Sequence, residues 1–281
     1  MPARLVWVAF ALAQDKPPEY IGAEMCAACH EDISNAFARN RHAAVDKTCE
    51  ACHGPGSKHA ESASAADIGN PAKLAPAQVD RTCLTCHKNQ PTHSGRVMAG
   101  HGRNSVSCIA CHSVHKIPAP VVNCVSCHVS TRASFNRPHA HTVSFEGKPG
   151  AMSCVDCHNP HGSPWRAGLQ SVSGNEPGCL RCHSDKRGPF AFEHAPVRVE
   201  GCAACHQPHG SANPRMLARP DVQLLCLECH ANAGTAGGGT RSGALGGVPP
   251  AIHDLRNARF RNCTVCHSKI HGSHVNRTFL R

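Results

Sequence analysis

The sequence predicts a chain of mostly irregular coil with short α-helices and little or no β-structure, laid out as an elongated array of repeated modules. Three observations carry that prediction. The pattern Cys-x-x-Cys-His occurs ten times and uses all 20 cysteines. Aromatic residues are only 4% of the 281, and no sustained apolar period marks a long helix or strand, so an ordinary core is not encoded. The gaps between motifs are short and carry Pro, Gly and Asn, leaving room for little more than helical turns around each motif.

The motif has a chemical reason. Cysteines at i and i+3 share one face of a helical turn, so both thiols can form thioethers with the two vinyl groups on one haem edge, and the adjoining histidine binds iron from the proximal side. Four-thiolate zinc sites and disulfide frameworks also use paired cysteines, but neither requires histidine after the second one. With 23 histidines in 281 residues, chance would place about one behind ten motifs, and all ten have it. The chemistry is c-type haem attachment, with the haems themselves as the core at about 28 residues each. The apo-chain is then expected to be largely unfolded.

The remaining histidines fall into a five-fold frame of motif, spacer histidine, motif, gap histidine. The first unit, about residues 24–60, holds Cys26, Cys29 and His30, then His42, then Cys49, Cys52 and His53, then His59. The second, 81–116, holds Cys83, Cys86 and His87, His101, then Cys108, Cys111 and His112, His115. The third, 122–162, holds Cys124, Cys127 and His128, His141, then Cys154, Cys157 and His158, His161. The fourth, 177–210, holds Cys179, Cys182 and His183, His194, then Cys202, Cys205 and His206, His209. The fifth, 224–272, holds Cys226, Cys229 and His230, His253, then Cys263, Cys266 and His267, His271.

Each unit therefore supplies two attachment sites and two spare histidines, enough for two bis-histidine haems, and repetition of this kind signals a row of modules packed on their neighbours. The pattern does not say which spare histidine serves which haem. His93, His139 and His274 stand outside it. Pro138-His139-Ala140-His141 offers two candidates for one place, and distance to the next motif favours His141. Glycine follows His161, His209 and His271, where a tight turn lets backbone approach the ring.

Between the motifs, Glu31 to Val45 is the best helix candidate, with Asp32 near its start and Ile33, Ala36 and Phe37 on one side. The Ala- and Ser-rich segment from Ser57 to Asp80 is helical or loose, and Ala231 to Pro250, with seven glycines, reads as a surface loop. Residues 1–13 have one positive charge, a short apolar run from Leu5 to Leu12 and an Ala-x-Ala end at Ala13, the pattern of an export leader. Residues 14–281 then form one domain of five two-haem repeats. No stretch approaches the 18 or so apolar residues of a membrane span, and export and this haem attachment both indicate the periplasm.

The formal charge of +10 does not indicate nucleic acid. Ten haems would bring about −20 in propionates and each ferric centre about +1, so the loaded protein is near neutral when oxidised and roughly −10 when reduced. Lys and Arg are better understood as propionate partners, and stacking aromatics are scarce.

Ten such motifs behind a leader, with the local strings CHGPGSKH (Cys52–His59), CHNPHGS (Cys157–Ser163), EHAPVRVEGCAACHQPHGS (Glu193–Ser211) and CTVCHSKIHGS (Cys263–Ser273), resemble the periplasmic decahaem cytochromes of the MtrA/DmsE type. The resemblance covers essentially the whole mature chain. It implies haems in a staggered line and a place partly inside an outer-membrane β-barrel partner. It also implies electron passage between periplasmic or inner-membrane cytochromes and an extracellular multihaem cytochrome or reductase.

Three function classes follow: a fixed outer-membrane conduit, a soluble periplasmic shuttle or store feeding a terminal reductase, and a multihaem reductase. An iron with two imidazoles has no open site for substrate, and no variant motif or shortage of distal histidines marks an open iron. No acid–base constellation appears beyond the haem histidines. The expected protein is an electron carrier rather than an enzyme, with low, mostly negative potentials because no thioether ligand raises them.

Overall fold

The computed structural model describes residues 16–89, 100–116, 122–163, 169–172, 176–230 and 257–281. The leader-like residues 1–13, the glycine-rich segment 231–250, His93 and His253 lie outside them. Described residues up to Val122 form one compact unit, and those from Asn123 onward form a second.

The N-terminal unit carries α1 (Ala23–Ala27), α2 (Glu31–Phe37), α3 (Glu50–His53), α4 (Ser57–Ser62), α5 (Pro76–His87) and α6 (Gly100–Arg103). The C-terminal unit carries α7 (Val129–Ser134), α8 (Ala195–Val199) and α9 (Val222–His230). Coil joins them, and there is no β-strand among the described residues, only isolated two-residue bridges. Coil with short helices is the predicted class.

Each motif builds its own turn. In eight of the ten, the histidine amide donates to the carbonyl of the first cysteine at 2.9–3.0 Å, closing one α-type turn. The other two turns lie inside α5 and α9. Pro76 opens α5 at a position where a missing N–H costs nothing, and the Gln78 side chain accepts from the Ala75 amide at 3.1 Å.

The helix expected over Glu31–Val45 is shorter. It ends at Phe37, and a 3₁₀ turn follows over Arg41–Ala44. Asn40 breaks it, because its side-chain oxygen accepts the His42 amide at 3.0 Å in place of a helical carbonyl. That break turns His42 away from the line of α2.

Little apolar surface is buried by protein alone. Val79, Val125 and Leu180 are the buried apolar residues among those described, while Val199 and Val275 stay above 80% exposed. A chain of this length with so small a protein core needs another apolar body to fold around. No helix among the described residues is long and apolar enough to cross a membrane.

Candidate haem-binding sites

No disulfide joins any of the 20 cysteines. The first cysteines of paired motifs come together instead: Cys26 with Cys49, Cys124 with Cys154, Cys179 with Cys202, and Cys226 with Cys263 are within side-chain hydrogen-bonding reach. The second motif of a unit also approaches the first of the next. Burial foremost, with Cys83 and Cys86 nearby, pushes the Cys52 thiol up; Cys157 is raised likewise beside Cys179 and Cys182, and Cys205 beside Cys229. Within each compact unit the attachment points follow one another in chain order.

The histidine rings pair with the same regularity. His30 faces His59 at 6.0 Å between centroids, His42 faces His87 at 5.9 Å, and His53 faces His115 at 5.9 Å. In the C-terminal unit, His141 faces His183 at 6.3 Å and His158 faces His209 at 5.8 Å. His194 faces His230 and His206 faces His271, both at 6.2 Å. Every pair joins one motif histidine to one histidine from outside a motif. A metal–imidazole bond of about 2 Å on each side puts two trans ring centroids roughly 6.3 Å apart. The observed spacing fits that and is too wide for parallel rings in direct contact. The residues fit two imidazoles on one haem iron.

The nitrogens are set for it. His53 donates from Nδ1 to the Gly69 carbonyl at 2.7 Å, His59 to Ser64 at 2.9 Å, and His141 to Pro208 at 2.8 Å. His206 does so to Arg215 at 2.8 Å and His267 to Thr278 at 2.6 Å. A carbonyl only accepts, so each Nδ1 carries the proton and each Nε2 keeps its lone pair for a metal. Burial pushes His115, His194, His209 and His271 below the ordinary histidine range, which favours the neutral, ligating form.

Six of the seven pairs cross the sequence units. The spacer histidine of one unit faces the first motif of the next (His42–His87, His141–His183, His194–His230). The gap histidine of the later unit faces the second motif of the earlier one (His53–His115, His158–His209, His206–His271). His30–His59 alone among them closes within its unit.

In the C-terminal unit a repeated device enforces the exchange. His139 and Ser211 trade two backbone hydrogen bonds at 3.1 and 2.8 Å, and Phe192 and Ser273 do the same at 2.8 and 2.9 Å. Each bridge clamps the residue two before a spacer histidine to the residue two after a gap histidine. Between lies a glycine: Gly210 has φ +135° and an added Cβ would come within 2.1 Å of the Ser134 carbonyl oxygen. Only glycine fits there.

His139 thus enters a backbone bridge, while His141 carries the ring opposite His183. His274 packs its ring on Phe190 at 5.2 Å. His101 sits in α6, and the His161 amide donates to Asn159 at 3.0 Å. Sequence reasoning missed the phenylalanines that wall the outer histidines: Phe37 on His115, Phe135 on His209 and Phe279 on His194. A chain with eight Phe that spends three of them beside candidate ligands gave a compositional hint, but no local pattern.

The comparisons with known proteins agree. The family described as the doubled CXXCH motif matches residues 147–188 and 194–235. A multihaem cytochrome MtrA of Shewanella baltica (strain OS185) is 35% identical, over 90% of this chain and 78% of that protein. The chain belongs to the MtrA-like multihaem cytochromes. Like others of the family it carries covalently bound haem c and transfers electrons. The matched segments 147–188 and 194–235 each join the second motif of one sequence unit to the first of the next, the same offset as the ring pairing.

Proposed function

We propose that this MtrA-like cytochrome holds ten haem c groups in one domain of five two-haem repeats, every iron closed by two imidazoles. The 20 cysteines form the thioethers. His30, His53, His87, His112, His128, His158, His183, His206, His230 and His267 are the proximal ligands. The distal partners in the paired sites are His59 for His30, His115 for His53, His42 for His87, His209 for His158, His141 for His183, His271 for His206 and His194 for His230. His101, His161 and His253 complete the set on the sequence frame. The observation that carries this is the ring spacing of 5.8–6.3 Å, always between a motif and a non-motif histidine.

Bound haem supplies a one-electron couple at each iron. The chain's own residues do the rest. Paired imidazoles deny the iron to substrate, Nδ1–H donors fix each ring and strengthen it as a ligand, and adjacent cysteines order the sites for transfer from one to the next. Lys186 and Lys269 beside His271 are placed to meet propionates. The polypeptide works as a relay.

We place the relay in the periplasm, seated in an outer-membrane β-barrel. It carries electrons between periplasmic or inner-membrane cytochromes and an extracellular multihaem cytochrome or reductase. Likeness to MtrA along 90% of the chain, together with the leader-like start, supports the placement.

Two measurements test it. Intact mass should show ten haems on the exported chain, and native reduced protein should bind no carbon monoxide. Fewer haems, or one open iron, would sink the closed-relay assignment. Detergent extraction should recover the chain with a barrel protein; full recovery from the periplasm without detergent would favour a soluble shuttle.

A further inference from the structure

The first residue between the two cysteines of a motif is mostly apolar in this chain, and its exposure varies from buried to the 51% of Val155. Val125 and Leu180 occupy it and are 7% exposed. Across the other nine motifs it is Ala, Leu, Ile or Val, with Thr264 the one polar exception. In the second motif it is Glu50, a carboxylate only 2% exposed.

Its oxygens accept from the amides of Ile21 at 3.0 Å, Gly22 at 2.9 Å and Gly56 at 2.8 Å. Gly22 in turn accepts through its carbonyl from Cys26 Sγ at 3.4 Å, and Cys26 lies against Cys49, the neighbour of Glu50. The carboxylate is therefore fixed beside the attachment points of two haems. Charged residues at the second intervening position, such as Asp156 and Glu228, are exposed and solvent screens them. Glu50 is not screened.

A desolvated negative charge is costly to bury, and nothing about thioether formation asks for it. Its effect on a nearby iron has a definite sign: it stabilises the more positive, ferric state. We propose that Glu50 tunes the haems of the first two motifs, its fixed charge holding their potentials below what an apolar residue at that position would allow. This rests on the proposed haem attachment at Cys26, Cys29, Cys49 and Cys52. It goes further in assigning a redox task to a residue that is neither an attachment cysteine nor a candidate iron ligand.

The test is a spectropotentiometric titration of holo-protein carrying Glu50→Gln, Glu50→Leu or Glu50→Asp, each checked for haem content by intact mass. Leucine is the side chain that Leu84, Leu180 and Leu227 supply in other motifs, while glutamine keeps an acceptor for the Ile21, Gly22 and Gly56 amides. Both neutral variants should move one or two couples upward by about tenfold in equilibrium constant, about 59 mV for a one-electron couple. Glu50→Asp, which keeps the charge, should stay near the parent.

Fully loaded neutral variants whose titration superimposes on the parent would overturn the proposal. So would an aspartate variant that shifts as far as glutamine, since that would assign the effect to the backbone clamp. A parent protein lacking haem on the first two motifs, seen by mass, would instead overturn the attachment on which the proposal stands.

Discussion

The two compact units reach the same ring spacing with different scaffolds. The N-terminal unit uses α5, twelve residues long, and a buried carboxylate that ties residues 21–22 to the second motif. The C-terminal unit relies on a repeated serine–glycine corner and two-bond bridges, His139 with Ser211 and Phe192 with Ser273. What they share is an imidazole pair near 6 Å and a backbone carbonyl behind Nδ1. The spacing of the paired rings is constant across the two units and the means of holding it is not.

The largest effect that would break this comparison is steric. Gly210→Ala puts a Cβ within 2.1 Å of the Ser134 carbonyl at φ +135°, whereas Gly22→Ala, at φ +84°, meets nothing within 4 Å. The first should cost about 3 kcal/mol or more, overpacking added to backbone strain. It should also open irons to carbon monoxide, because the Ser211 bridge places both His141 and His209. The second should cost about 1–3 kcal/mol of strain and open none.

Ligand exchange comes next in size. His209→Met should raise the potential of the haem on Cys154 and Cys157 by on the order of 0.1 V, as a thioether ligand does. The haem on Cys202 and Cys205, nearest in sequence, should keep its own. The reverse result in site-resolved titrations would return the ligands to their sequence units.

Acid separates the two units by a smaller margin. Burial alone would raise the Glu50 carboxyl, but donors from Ile21, Gly22 and Gly56, with Lys47 nearby, outweigh it and hold the group below the usual carboxylate range. A depressed folded value gives stability present above the ordinary carboxylate value and lost as pH falls through the folded one. Hydrogen exchange on residues 19–22 should therefore quicken in acid ahead of the Ser211 and Ser273 bridges, and Glu50→Gln should abolish that difference.

Smallest is the Ser211 hydroxyl. It is 1% exposed and donates to the Leu217 carbonyl at 2.6 Å, so Ser211→Ala should cost about 1–2 kcal/mol. Ser57, whose hydroxyl accepts from Glu19 at the exposed surface, should cost about 0.5 kcal/mol or less by the same substitution. Thermal melts of the two variants check the contrast.

The coil-and-turn fold was legible in the sequence because each motif closes its own local turn and the composition denies any other core. Haem chemistry was legible for the same reason: ten identical patterns are local facts. The ring pairing was not. In the C-terminal unit it goes with bridges between residues about 70 to 80 positions apart, His139 with Ser211 and Phe192 with Ser273, and backbone pairing of single residues leaves no periodic mark. The break at Asn40 was missed because Ile33, Ala36 and Phe37 do continue the helical period, and one capping side chain overrode it. Glu50 carries no mark in the sequence, because the acceptors it supplies to Ile21, Gly22 and Gly56 come from folding and not from the motif.

The His53–His115 pairing has a temporal consequence. A chain delivered from its amino end presents residue 53 some sixty positions before residue 115, so on the proposed ligation a haem on the second motif would wait for its second imidazole until the fourth motif had emerged. Sites of that kind would close late in maturation, like a boot laced from the toe, and those whose non-motif histidine comes first, such as His42–His87, would close at once; a chain stalled in transit would leave the late irons open to small diatomic poisons.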